Sequence, residues 1–343
     1  MRLDLATRTL FAEFQEGVFA RTALEREFWT LSVYVRKKVK GLTYWYIQQG
    51  NAQKYFGPSN TKNDEVVESH RTERNEKKAL LRQLLGKEAR QAAMLRRGGL
   101  PGIDRRVANV TACLSDRGLI DGRGTLIGTL AFIAYAGILG EIFEKASTRT
   151  EDIDIVSESG IDVTVSAPID IPQMLKETGL HFRAVPALDH GYPSSSFVSS
   201  EGVRIDLLVP LRGRPRGVVS VRGIKGAGAV QLPFLDYLVE DPIRTVLIGP
   251  AGGVPIQVPH PARFAVHKMI TAIRRPVTES AKRQKDLLQS TQLIAALADD
   301  EPHELRAAWK DAAGRGKKWS KLLAEAGGLL PELATKVIER IIR

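Results

Sequence analysis

The chain has 343 residues, with 50 Lys+Arg against 39 Asp+Glu and a formal net charge of +11. At roughly 100–200 residues per domain the length predicts two or three domains, and 43% apolar with 26% charged residues excludes a mostly disordered chain. Cys113 is the only cysteine, which excludes an internal disulfide framework and a Cys-rich zinc or iron–sulfur site and fits a reducing compartment.

The charge is unevenly placed. Residues 1–110 hold 21 Lys+Arg against 12 Asp+Glu, whereas residues 111–343 hold 29 against 27. A basic region of this kind suits a polyanion such as nucleic acid, or is simply a solvated helical face. The first residues include Arg2 and Asp4 and no long apolar run, so no secretory signal and a cytoplasmic protein are expected.

Leu24, Phe28, Leu31 and Val35 recur at helical spacing with no Gly or Pro between them, and the chain from Leu3 to Val39 is read as helix. Gly41 after the run Arg36, Lys37, Lys38, Val39, Lys40 is read as its stop. A β-hairpin follows over about 42–58: Thr43–Ile47 is β-prone, Gly50-Asn51 is a turn signal, and Gln53–Pro58 returns. Asp64–Arg97, rich in Glu, Lys, Arg, Leu and Ala, predicts a long charged helix. The sequence Gly98-Gly99-Leu100-Pro101-Gly102 breaks it, and a shorter helix is expected over Arg105–Asp116.

Residues 124–140 carry no charge, which is close to membrane-spanning length. Four glycines and the flanking Arg123 and Glu141 favour a buried strand–turn–helix, with strand Thr125–Ile127 and helix Leu130–Leu139, and no membrane association. Strands are then expected at Ile153–Val156, His181–Val185, Ser195–Val198, Arg204–Val209 and Thr245–Ile248, with a helix near Gln173–Thr178. After Pro259 the pattern is helical to the end: Ala262–Ile273, Ala281–Leu297, His303–Ala313, Lys317–Glu325 and Leu330–Ile342. The fold class is α/β (α+β). The expected division is a basic helical region with a hairpin at 1–100, a catalytic core at 101–258 and a helical domain at 259–343.

Three features carry chemistry. Residues i and i+2 of a strand face the same way, so Asp152 and Asp154 present two carboxylates to one point. Such a pair repels unless a cation or proton lies between, and hard oxygen ligands suit Mg²⁺ or Mn²⁺. Asp206 interrupts the apolar strand Val203–Val209 and needs a compensating charge, from Arg204 or from a neighbouring strand that carries the metal-bound pair. Gly128-Thr129 stands where a short strand turns into a helix, a place where free backbone N–H groups and the helix dipole favour an anion. A phosphate cradle with three carboxylates for two metal ions is the equipment of phosphoryl or nucleotidyl transfer.

Gly124 to Val156 resembles the signature of the polymerase-β-like nucleotidyltransferase superfamily, in which a Gly-Gly or Gly-Ser turn precedes a helix and then an hDhDh strand. The run GT-L-AF-I-AY-AGILG followed by T-E-D-I-D-I is similar to an uncharacterised bacterial branch of it, as are K-G-x-T-Y-W-Y with Y-F-G-P and H-P-A-R-F-A-V-H-K. The resemblance implies a core of a small mixed sheet with flanking helices, to which the hairpin region and a C-terminal helical bundle are added. It implies that Gly128 and Thr129 hold the β- and γ-phosphates of a nucleoside triphosphate such as ATP, and that Asp152 and Asp154 bind two Mg²⁺ ions. Asp206 completes the metal site and helps deprotonate the attacking hydroxyl. Thr129 stands where Ser or Gly is usual, and the step of 23 residues from Thr129 to Asp152 exceeds that of minimal members. In similar enzymes a helical lysine after the core reaches the triphosphate, which makes Lys268 and Lys285 candidates, with Arg149 a further phosphate contact.

Arg36, Lys37, Lys38 and Lys40 beside Tyr44 and Tyr46 are candidate nucleic-acid contacts if one hairpin face is open. If the hairpin is sandwiched between helices, its aromatics are core. The expected function is metal-dependent transfer of NMP from an NTP to an acceptor hydroxyl, on RNA such as tRNA in preference to protein or a small molecule. Toxin-like transferases occur in the superfamily, so the resemblance extends to a toxin–antitoxin or defence role. The alternative is a non-catalytic nucleic-acid-binding protein on the same scaffold.

Overall fold

The computed structural model describes residues 1–144, 150–157, 168–186, 193–214 and 217–342. Helix α1 (Leu5–Thr30) begins at Asp4, whose carboxylate accepts the Thr7 N–H, and buries Phe11, Phe14 and Val18. It ends earlier than the apolar spacing predicts. Val33–Val39 is not helix but strand β1, which pairs antiparallel with β2 (Leu42–Gln49), and β2 pairs with β3 (Ala52–Pro58). The β-branched residues Val33, Val35 and Val39 alternate at period two, which a strand uses and a helix does not. Lys40 and Gly41 have φ of 50° and 85° and so close a two-residue hairpin, where a helix stop was expected.

Helix α2 (Thr61–Arg97) has 37 residues and is tied to α1 by a buried pair, Arg21 Nε to Glu88 Oε1 at 2.7 Å, while Arg21 also donates to the Gly253 carbonyl. The three-stranded sheet lies on its first turns: Trp45 Nε1 donates to Asp64 at 2.6 Å, and the Tyr34 ring stacks on His70. Helix α3 (Arg105–Asp116) follows as expected.

Among the described residues the central sheet contains seven strands. Its main path runs β10 (Val218–Ser220), β12 (Gly228–Leu232), β9 (Arg204–Pro210), β5 (Asp152–Ser157) and β4 (Gly124–Ile127), with β7 (Phe182–Val185) and β8 (Ser196–Ser199) joined to it through β9. β5 and β12 run parallel to β9 and the other pairs are antiparallel, which makes the sheet mixed. β6 (Ile169–Asp170) pairs with β11 (Ile224–Lys225), and β13 (Ile243–Ile248) with β14 (Gly253–Val258). Short helices α5 (Ile171–Glu177) and α6 (Leu235–Leu238) intervene.

Helix α4 (Gly128–Leu139) has no polar face because it is buried on every side, which explains the uncharged run. No helix among the described residues is long and apolar enough to cross a membrane. Its Tyr135 hydroxyl donates to the Pro259 carbonyl at 2.8 Å, and the same ring meets Phe264 edge-on. Those contacts seat α7 (Pro261–Arg274), which leads to α8 (Ser280–Asp300), α9 (Pro302–Gly314), α10 (Lys317–Gly327) and α11 (Glu332–Ile342). Most buried apolar residues from Leu3 to Ile338 form one cluster, from which Phe28, Trp45, Val67 and Leu81 of the N-terminal region are separate.

Candidate active site

The sheet register builds the site. In β5 the residues Ile153 and Ile155 are fully buried, so the alternate residues Asp152 and Asp154 face outward. In β9 the buried residues Ile205, Leu207 and Val209 leave Arg204 and Asp206 on the corresponding outer face. The parallel register sets Asp152 opposite Arg204 and Asp154 opposite Asp206, so four charged groups share one patch. Arg204 Nε donates to Asp206 at 2.8 Å.

β4 is antiparallel to β5 with Ile127 opposite Asp154, so the next residue, Gly128, begins α4 against that carboxylate. Gly128 has φ of +70°, and a Cβ there would lie 2.3 Å from Asp154 Oδ2. Backbone conformation and space both require glycine. No side chain caps this helix, so its first N–H groups, around Thr129, are available to an anion.

The opposite wall comes from α7 and α8. Lys268 Nζ lies 2.7 Å from Asp286 Oδ1, and Arg275 Nε lies 2.5 Å from Asp286 Oδ2. Asp286 is 3% exposed. Burial works to raise its pKa, but Lys268 and the Arg275 hydrogen bond outweigh that and hold it below the ordinary range. Lys282 and Lys285 stand on the same helix face three residues apart. Burial lowers the Lys285 pKa, and the neighbouring Lys268 charge adds to the effect. Between the walls is a cleft of about 620 Å³ lined by Gly128, Thr129, Asp152, Asp154, Asp206, Lys268 and Lys285, together with Thr150, Arg204, Arg275, Lys282 and Asp286.

Asp154 is the perturbed group. Burial first, then the Asp206 carboxylate beside it, pushes its pKa up to about 6, against the opposing pull of Lys268 and Arg204. A raised carboxylate pKa in a cleft marks a place where a cation relieves repulsion. Among the described residues no group of three His, Cys, Asp or Glu forms a ready metal cage; the Arg204 guanidinium supplies the counter-charge to Asp206. The oxygen-only donor set and the repulsion at Asp154 nonetheless fit a hard divalent cation.

The cleft thus gathers Gly128, Thr129, Asp152, Asp154, Asp206, Lys268 and Lys285, whereas Arg149 lies outside the described residues. Arg36, Lys37, Lys38, Lys40, Tyr44 and Tyr46 belong to the separate N-terminal sheet. Thr150, Arg275 and Lys282 were not anticipated. Lys282 precedes Lys285 by three residues, a spacing that puts them on one helix face, whereas Arg275 lies just past the end of α7 in extended backbone, where no helical spacing signals it. His260 is no ligand here: its Nδ1 accepts the Ala262 N–H at the start of α7. His267 is buried, and burial pushes its pKa down to about 3, so it is neutral.

No curated protein matches the chain. A family model described as nucleotidyltransferase matches residues 105–314, which span β4, β5, β9 and both walls of the cleft, and the chain belongs to this nucleotidyltransferase family.

Proposed function

We propose that the cleft transfers a nucleoside monophosphate from an NTP to an acceptor hydroxyl, with RNA, tRNA foremost, as the acceptor. The observation that carries this reading is the register that sets Asp154 beside Asp206 with Gly128 against it, facing a wall of Lys268, Arg275, Lys282 and Lys285. Asp152 and Asp154 would hold a divalent cation, Mg²⁺ or Mn²⁺ in two ions, with Asp206 completing the set. Bound metal of this kind offsets triphosphate charge and polarises the reacting phosphorus.

The protein's own residues supply the rest. The N–H groups at Gly128 and Thr129 take phosphate oxygens at the start of α4. Lys268 and Lys285 neutralise the triphosphate, and Asp286 keeps Lys268 and Arg275 pointed at the cleft. Asp206 takes the proton of the acceptor hydroxyl as its oxygen bonds to the α-phosphorus. The bond from the α-phosphorus to the β-phosphate oxygen breaks, and pyrophosphate leaves against the cationic wall.

Incubation of the protein with each α-labelled NTP, Mg²⁺ and total RNA tests this directly. Label should enter RNA with wild type and not with Asp152→Ala, and equal behaviour of the two would sink the reading. The Arg204–Asp206 ion pair favours one other reading, a nucleic-acid-binding protein without turnover, which the same assay separates by unlabelled RNA that nevertheless stays bound. A toxin or defence role predicts growth arrest on expression of wild type that Asp152→Ala abolishes.

A further inference from the structure

The N-terminal sheet has two unlike faces. Tyr34, Trp45 and Phe56 turn toward α2, where Trp45 is 4% exposed, bonds Asp64 and lies under the Arg71 guanidinium at 4.8 Å. The register puts Lys37 opposite Tyr44, and Tyr46 opposite Tyr55, on the other face. There the Tyr55 ring centre is 5.9 Å from that of Tyr44 and 5.7 Å from that of Tyr46, and Lys37 Nζ stands 5.4 Å from the Tyr46 ring. Tyr55 is 54% exposed and Leu42 63%, so this face is open to water. Such a contiguous aromatic patch marks an interaction surface.

Charge identifies the occupant. From Glu27 to Asp64 the chain has no acidic residue between them; the register turns Lys38 and Lys54 to the α2 side, while Lys37 on the tyrosine face and Lys40 in the β1–β2 turn are exposed. Two copies meeting face to face would bring these cations together, which disfavours self-association. An anion with flat, unpaired rings satisfies both halves of the surface: bases stack on the tyrosines while phosphates meet the lysines. A duplex hides its base faces and would use the lysines alone. We infer that the open face of β1–β2–β3 is a binding platform for single-stranded RNA, engaged through stacking on Tyr44, Tyr46 and Tyr55. This supplies the RNA class of the transfer reaction with its own site, outside the cleft, and it stands whether or not the cleft turns over.

The test is fluorescence anisotropy of a 5′-labelled 20-nucleotide oligouridine titrated with full-length protein, in EDTA and without NTP, so that failure of transfer cannot mimic failure of binding. Each of Tyr44→Ala, Tyr46→Ala and Tyr55→Ala should weaken binding about 5-fold or more, and Tyr46→Phe, which keeps the ring, by less than about 2-fold. Lys37→Ala with Lys40→Ala should flatten the plot of log affinity against log salt by about 1.4, at ~0.7 for each phosphate left without its lysine. Wild-type affinity in the triple tyrosine variant, with an unchanged circular dichroism spectrum, would overturn the inference. So would equal affinity for a duplex of the same length, displacement of RNA by polyglutamate of matched charge, or a wild-type dimer that the tyrosine variants dissociate.

Discussion

Asp154→Asn should make the metal-free protein more stable at pH 8 while destroying its chemistry. The carboxylate titrates at about 6 in the native protein because it is buried and stands beside Asp206, whereas an ordinary aspartate titrates near ~3.9 in the unfolded chain. Between those values the unfolded state releases its proton first, so native stability falls as pH rises from about 4 and levels off above about 6. At ~1.4 kcal/mol per pH unit the group costs about 3 kcal/mol at pH 8. That is an upper value, because Asp154 is only half-buried toward the cleft. Asparagine has no charge to desolvate, so the variant should melt on the order of 5 °C higher than wild type at pH 8 in EDTA and at the same temperature near pH 4. Adding Mg²⁺ should raise the wild type and leave the variant unmoved, narrowing the gap. Thermal unfolding from pH 4 to 8, with and without metal, measures all of this. A variant equal to or less stable than wild type at pH 8 in EDTA, with parallel pH slopes, would refute the reasoning.

Gly128→Ala should retain the fold but lose NTP-dependent transfer: the new Cβ at φ +70° would displace the Asp154 carboxylate, at about 1–2 kcal/mol of backbone strain, read by transfer assay and urea unfolding. Asp286→Ala should cost about 3 kcal/mol in urea unfolding, since it strands Lys268 and Arg275 beside each other, and should raise the KM for NTP more than it lowers kcat. Arg204→Gln removes a cation that holds the Asp154 pKa down, so the acid limb of the pH–rate profile should move to higher pH; an unmoved limb would place the Arg204 charge outside the reacting groups. Trp45→Phe removes a 2.6 Å hydrogen bond to Asp64, so it should cost about 1 kcal/mol in stability and leave NTP binding unchanged by calorimetry.

The core elements were legible because their signals are local. The uncharged run at 124–140 is long enough for a strand and a helix yet interrupted by Gly128, and β4 and α4 follow it within one or two residues. Alternation of acid and aliphatic residues likewise located β5 and β9, and with them Asp152, Asp154 and Asp206. What the sequence left open was pairing. Nothing in Val203–Val209 says which strand lies beside it, so the meeting of Asp206 with Asp154 appears only in the register. The misread β1 shows the opposite failure: Leu31 and Val35 satisfy a helical spacing while Val33, Val35 and Val39 satisfy a strand's, and partners β2 and β3 decided between them. β6, β10, β11, β12 and β14 were missed for the same reason, since each is held by partners rather than by a pattern of its own. Of the cationic wall, Lys268 and Lys285 were expected, while Arg275 and Lys282 escaped because Arg275 caps α7, Lys282 lies on α8, and buried Asp286 ties the two elements together, a long-range fact.

The arrangement of that cleft has a further consequence. Carboxylates outnumber Arg204 on its sheet side and cations outnumber Asp286 on its helical side, so the space between carries a net electric field directed from α7 and α8 toward β5 and β9. A molecule with an anionic tail and a cation-seeking head is turned by this field before it touches either wall, tail toward the helices. Salt with a screening length of ~8 Å at physiological strength weakens this alignment, and molar salt removes it. Approach with the triphosphate reversed is then opposed from both sides, and the polarity of the cleft acts as a filter on productive encounters.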